Sequence, residues 1–273
     1  MPNLFERNIA TLADRLILLA PAKTPGHEFM GSVEAHSVRY EHLVHALQKL
    51  RGSVYLDDGA VQLEQLLPDG RHQVPGDEDC WHLIMLNRQG GLSACVWYHE
   101  YENTISADQL RLRECPLAQC SSSRDTFWNA VGSQLARARS DGLRMAEVGG
   151  WAVAKESRHT LEGLLLALAG YSLGRIRGGC LALTTATVRH CSSSILRRLG
   201  GIPLEGQGRA VPGYYDPRYG CDMEILQFDS RRPNSRYAAT IEMLTEKLTN
   251  VLACRLPEFG AARSVDQPQM AMA

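Results

Sequence analysis

Arg144–Leu204, RMAEVGGWAVAKESRHTLEGLLLALAGYSLGRIRGGCLALTTATVRHCSSSILRRLGGIPL, is the stretch on which the fold turns. Its periodicity reads as strand, basic loop, apolar helix, strand, helix. MAEVGGWAVA is the first strand. The paired Gly149 and Gly150 in its middle are poor strand formers and mark a bulge or a close backbone approach, so a splayed strand is expected. Leu161, Leu164, Leu165, Leu168 and Leu173 recur at helical spacing, CLALTTA is a second strand, and Val188, Ile195 and Leu199 suggest the next helix. A βα turn that carries a basic residue and leads exposed amides into a helix N-terminus can hold a phosphate-bearing arm.

Upstream, residues 3 to 19 and 36 to 50 show helical spacing, the second through Val38, Leu43, Leu47 and Leu50, with the Pro- and Gly-rich PAKTPGHEFMGS between them as a loop. From 53 to 101, SVYLDD, AVQLEQLL, CWHLIMLN and LSACVWYHEY are separated by turn signals and predict three or four antiparallel strands. A helix follows over 123–139, with Phe127, Val131 and Leu135 on one face. Downstream, GQGRAVPGYYDPRYG reads as a loop, CDMEILQFD as a last strand and 238–252 as a closing helix. The segment from Gly260 has no periodicity and reads as disordered.

The 273 residues, 44% hydrophobic and 22% charged, suit one α/β unit with extensions. A formal net charge of −1 excludes a global attraction to nucleic acid or anionic membrane. Charges at Glu6, Arg7, Asp14 and Arg15 break the first apolar run, so neither a signal sequence nor a membrane span is expected, and the cytoplasm is the expected compartment. The eight cysteines are scattered through mostly apolar stretches and read as free thiols. Cys115 and Cys120 lack the spacing of a zinc knuckle, so no metal site is expected.

Four motifs carry a resemblance. They are Arg39 with the helix ending LQKLRGSVY, the acidic Asp77, Glu78 and Asp79 before WHLIMLN, Glu147 in EVGGWAV, and ILRRLGGIPL. Over roughly residues 36 to 230 the chain resembles the GNAT acyltransferase superfamily. Within it the chain is similar to the acyl-homoserine-lactone synthases and the related N-acyl amino acid synthases. The resemblance implies an α/β (α+β) fold with a mixed, mostly antiparallel central sheet flanked by helices. It implies residues 1–35 as an N-terminal helix and linking loop, 36–255 as the acyltransferase domain and 256–273 as a disordered tail.

The chain departs from that pattern in four places. The Arg expected three residues after Glu147 is Gly150, and the basic residue expected in SACVWYH is missing, which argues against a homoserine-lactone synthase proper. In the phosphate loop, Arg158, His159, Thr160, Leu161, Glu162 and Gly163 keep only the pattern's Arg and last Gly, which favours an acyl carrier protein as donor. Leu196 stands where many members have a tyrosine acid.

Direct acyl transfer from a thioester to an amine needs a base, an oxyanion site and a grip on the donor, and no side-chain nucleophile. With the resemblance, Glu147 is the candidate base and the backbone of Gly149, Gly150 and Trp151 the oxyanion site. Arg158, His159, Thr160 and Gly163 are the candidate grip on the phosphate. Arg39, Trp81, Trp97 and His99 are candidates for the acceptor and acyl pocket, and Arg197 and Arg198 could face an acidic carrier protein. No permanently bound cofactor is implied; acyl-CoA or acyl-phosphopantetheine is a co-substrate, and the acceptor is a small amino-acid-like amine. Two alternatives stay open. One is a donor charged on tRNA, which the net charge does not favour; the other is a degenerate GNAT-like domain that only binds an acylated metabolite or a partner.

Overall fold

The computed structural model describes residues 4–22, 33–251 and 253–255. In chain order they form α1 (Leu4–Ala13), β1 (Leu16–Leu19), β2 (Val33–Ala35), α2 (Ser37–Asp57), β3 (Trp81–Leu86), β4 (Leu92–Tyr101), α3 (Arg124–Ser140), β5 (Arg144–Val153), α4 (Glu162–Ile176) and β6 (Cys180–Thr187). There follow α5 (Ser192–Leu199), β7 (Ile202–Pro203), β8 (Glu205–Gly206), β9 (Arg209–Ala210), β10 (Tyr214–Asp216), β11 (Cys221–Asp229), α6 (Ala238–Asn250) and β12 (Ala253–Arg255).

The central sheet runs β10-β11-β6-β5-β4-β3-β1-β12-β2, with β7 also on β11. Pairing is antiparallel except for β5 with β6, β1 with β12 and β12 with β2. This is the mixed, mostly antiparallel sheet that was expected. Period-two alternation sends Leu83, Met85, Ala94, Val96 and Ala146 to one face, where they bury against α1, α4 and α6. The other face packs Ile84, Cys95 and Ala152 on α2, and Met145, Leu181 and Leu183 on α3. Full burial of a leucine such as Leu165 on α4 contributes about 2 kcal/mol.

Several local expectations are corrected. SVYLDD continues α2, because Tyr40, Leu43, Leu47, Arg51 and Val54 form one buried stripe; Val38 is 72% exposed. AVQLEQLL holds only a 3-10 turn at Leu63–Gln65, so the 53–101 region supplies two strands. The helix expected over 3–19 stops at Ala13, and Leu16–Leu19 pairs with β3 as a sheet strand that draws on residues ahead of position 36. The loop expected around GQGRAVPGYYDPRYG contains the β8–β9 hairpin and β10. Val188 precedes α5 and is exposed. Most of PAKTPGHEFMGS and the whole segment from 256 lie outside the described residues.

Candidate active site

The site is built where two parallel strands part. β5 pairs with β6 only from Arg144↔Cys180 to Glu147↔Leu183. Beyond that point Val148–Val153 bonds only to β4, and Thr184–Thr187 only to β11. The β4–β5 register advances from Cys95↔Ala152 to Trp97↔Gly149, three residues on β5 against two on β4, so one extra residue bulges at the glycine pair. Gly150 takes φ +64°, and ideal Cβ atoms on Gly149 and Gly150 would lie 2.4 and 2.2 Å from the Trp97 indole. Only glycines let that ring lie across the strand. The wedge between the strands opens into a cavity of about 380 Å³.

Glu147, Gly149, Gly150, Trp151 and Trp97 all line this cavity. Glu147 is 3% exposed and its carboxylate is held by three donors: the Tyr101 hydroxyl, the Arg111 amide at 2.8 Å and the Leu112 amide at 2.7 Å. Burial still outweighs those bonds and lifts its pKa above the ordinary glutamate value. The bonds also carry the 3-10 turn Arg111–Glu114 to the cavity wall, where the Arg111 guanidinium stacks 4.8 Å from the Trp97 ring.

Other sequence candidates lie outside the cavity wall. Trp81 pairs across from Tyr98 on the α4 face, with the Arg177 guanidinium 5.3 Å from its ring. His99 stands 3.4 Å through Nδ1 from Cys80 Sγ; burial pushes this imidazole down to about 4 and the thiol up to about 12, so the pair is neutral and holds no thiolate nucleophile. Arg39 is exposed on α2. Arg158 pairs with Asp58 at 3.0 Å, His159 has φ +66°, Thr160 donates to the Ser157 carbonyl, and Gly163 packs on Trp151 and Val153 in the first turn of α4.

The structure adds residues that sequence reading missed. Arg51 lines the cavity and pairs with Asp77 through both terminal guanidinium nitrogens, Nη1 to Oδ1 at 2.9 Å. Both are buried; Gln48 and the Val74 amide complete the carboxylate's shell. The available signal was the position of Arg51 four residues after Leu47 on an apolar stripe. Arg111, by contrast, had no signal beyond its charge. Among the described residues it makes no ion pair, and Arg111 Nη1, Arg51 Nε, Trp151 Nε1, His72 Nδ1 and the Tyr171 and Tyr214 hydroxyls are buried polar atoms of cavity-lining residues with no hydrogen-bond partner among those residues. The two guanidinium nitrogens and the indole nitrogen can only donate, so that part of the wall suits acceptor oxygens. Toward α4 and α5 the wall turns apolar with Leu196, Leu199 and Phe228.

A mostly antiparallel sheet whose parallel β5–β6 pair splays at a bulge defines the class: the fold is that of the GNAT-like acyltransferases. Solved structures agree. BjaI, a CoA-dependent acyl-homoserine lactone synthase solved with MTA, matches at 14% identity and a TM-score of 0.53 over 90% of this chain and 95% of that one. The same protein with SAM and isopentyl-CoA gives 0.52 at 14% identity over the same shares. TofI, in a ternary complex with an inhibitor and MTA, matches at 12% identity and 0.50 over 79% of this chain and 91% of that one. No protein-family model and no curated protein sequence matches the chain. At these identities the likeness is one of fold.

Proposed function

We propose that the protein is an N-acyltransferase that moves an acyl group from a CoA or acyl-carrier thioester to the amine of a small, amino-acid-like acceptor by direct transfer. The observation that carries this reading is the parting of β5 and β6 at the Gly149–Gly150 bulge, which opens a donor-lined cavity in the middle of the sheet. The acceptor nitrogen attacks the thioester carbonyl, the new C–N bond forms, and the C–S bond breaks to release the thiolate. The ammonium proton passes to Glu147, directly or through one water, and the raised proton affinity of this buried carboxylate suits it to that role. Amides of the bulge between Gly149 and Ala152 stabilise the oxyanion. Arg111, with no carboxylate partner of its own among the described residues, faces the acceptor carboxylate, and the apolar end at Leu196, Leu199 and Phe228 takes the acyl chain. The thiolate needs no side-chain acid, which agrees with Leu196 standing in the tyrosine's place.

Among the described residues no helix is long and apolar enough to cross a membrane. The proposed CoA and carrier-protein donors are compatible with a reaction in the cytoplasm. The test is release of free thiol from acyl-CoA thioesters of graded chain length, offered with a panel of amino acids. Thiol release that depends on the amine, with an amide product of matching mass, is expected. Hydrolysis at background rate with every pair, together with equal inactivity of carrier-bound acyl groups, would refute the reading.

A further inference from the structure

The candidate base Glu147 is held unevenly. Its Oε2 accepts from the Tyr101 hydroxyl and from the Arg111 amide at 2.8 Å, whereas Oε1, among the described residues, accepts only from the Leu112 amide at 2.7 Å. A carboxylate oxygen offers about two lone-pair sites, so Oε2 is filled and Oε1 keeps one open. Two of the donors are backbone amides, which cannot turn round to accept. The third, the Tyr101 hydroxyl, has the Arg111 amide 3.4 Å from its own oxygen, which favours keeping its hydrogen on the Glu147 side. A proton on Oε2 would break one of these bonds; a proton on Oε1 breaks none. The surroundings are otherwise neutral. His99 on β4 and Leu183 on β6 stand across from Glu147. Burial pushes His99 down to about 4 and keeps the Cys80 and Cys115 thiols and the Tyr101 and Tyr214 phenols protonated. From α3, Phe127, Val131 and Leu135 pack in this layer. At the cavity wall Asp216 is paired with Arg218 at 2.9 Å, and Glu114 lies on the exposed side of its turn. The charge that bears on Glu147 is that of Arg111.

We propose that Oε1 of Glu147 is the atom that takes the ammonium proton, and that Tyr101 is the positioning residue that reserves it for this role by keeping Oε2 occupied. The proposal rests on the acyl-transfer reading, which supplies the ammonium. As the acceptor is activated, its N–H bond breaks and the Oε1–H bond forms. The electron pair of the N–H bond stays on nitrogen and attacks the thioester carbonyl. The Tyr101, Arg111 and Leu112 bonds survive the change, so the carboxyl group keeps its place, and Glu147 returns the proton to water as the products leave. Tyr101 donates to the charged form and therefore also tunes the base: a weaker donor raises the proton affinity of Glu147 and a stronger one lowers it.

The experiment is the pH dependence of kcat for amine-dependent thiol release at saturating donor and acceptor. It compares the wild-type full chain, Tyr101→Phe, and a chain with 3-fluorotyrosine in place of Tyr101, whose more acidic phenol is a better donor of nearly the same size. The acidic limb of the profile is expected to move up by about one pH unit in Tyr101→Phe, so that turnover on the wild-type limb falls about tenfold. In the fluorotyrosine protein the limb is expected to move down. Melting temperatures check the fold of each. If Tyr101→Phe does not fold, the fluorotyrosine protein decides alone: a downward shift supports the proposal and an unmoved limb overturns it. A limb at the wild-type pH, or moved the opposite way, in either folded variant overturns the proposal even where turnover is lowered, because a bond that serves packing alone leaves the limb in place. A wild-type profile without an acidic limb overturns it as well. A wild type that releases no thiol with any amine overturns it together with the acyl-transfer reading.

Discussion

Adding one methyl group to each glycine of the bulge separates two costs that the structure superimposes. At Gly149 an ideal Cβ falls 2.4 Å from Trp97 Cζ2 and 2.9 Å from two further ring carbons, against an ordinary carbon contact of about 3.5–4.0 Å. The indole cannot simply swing away, since the Arg111 guanidinium stacks on it at 4.8 Å. Gly149→Ala is therefore an overpacking change costing about 1–3 kcal/mol. Gly150→Ala meets Trp97 Cδ1 at 2.2 Å and in addition places an L-residue at φ +64°, worth about 1–2 kcal/mol more. Its sum of about 2–5 kcal/mol is a large share of a typical domain's stability. Chemical unfolding of both variants, in the wild-type background and with Trp97→Val, resolves the parts. With the indole gone, the Gly149→Ala cost is expected to vanish, and Gly150→Ala is expected to keep about 1–2 kcal/mol. Equal costs in the two backgrounds, or a Gly149→Ala change under about 0.5 kcal/mol in the wild type, would refute the claim that the glycines exist to seat Trp97.

The Arg51–Asp77 pair makes a second test. Arg51→Met strands a buried carboxylate and is expected to cost about 3–5 kcal/mol at neutral pH. Burial alone would raise the Asp77 pKa, but the Arg51 hydrogen bonds and charge outweigh it and hold it below the ordinary value. The pair's contribution is thus present above the unfolded value of about 3.9 and lost as pH falls through the folded one, so the gap between wild type and Arg51→Met should narrow in acid. A gap independent of pH in unfolding titrations would contradict this. For Glu147, whose pKa is raised by burial, turnover should fall in acid through a value above the ordinary glutamate range. Glu147→Gln should lower turnover about 10²–10⁴-fold and remove that limb from the pH profile. Survival of the same limb in the variant would assign it to another group.

Legibility in the sequence followed length and periodicity. α3, α4, α6 and β11 lie close to where their spacing places them, because each shows several apolar residues at one clear period. The region after position 50 misled for a physical reason: VYL in SVYLDD is too short a run to separate strand from helix, and the α2 stripe is completed by Arg51, a charged residue on a buried face. Leu16–Leu19 was hidden in the same way, a four-residue strand set off from an amphipathic helix only by Asp14 and Arg15, which also fit the polar face of a continuing helix. The glycine pair marked the bulge because glycine weakens a strand interior, and a strand keeps two in a row where its backbone must bend or let a neighbour pass close. Arg111 reaches the cavity only because Glu147, 36 residues further on, accepts its amide, a contact that no local pattern encodes.

The central claim, acyl transfer to an amine, is tested most directly by mass spectrometry of extracts from bacteria that express the chain or its Glu147→Gln variant, searched for amide-linked acyl products. A series of products differing in the acyl group, present with the wild type and absent with the variant, is the predicted result and names donor and acceptor together. Extracts that stay identical after supplementation with amino acids and fatty acids, from cells in which both proteins are folded and abundant, would contradict it.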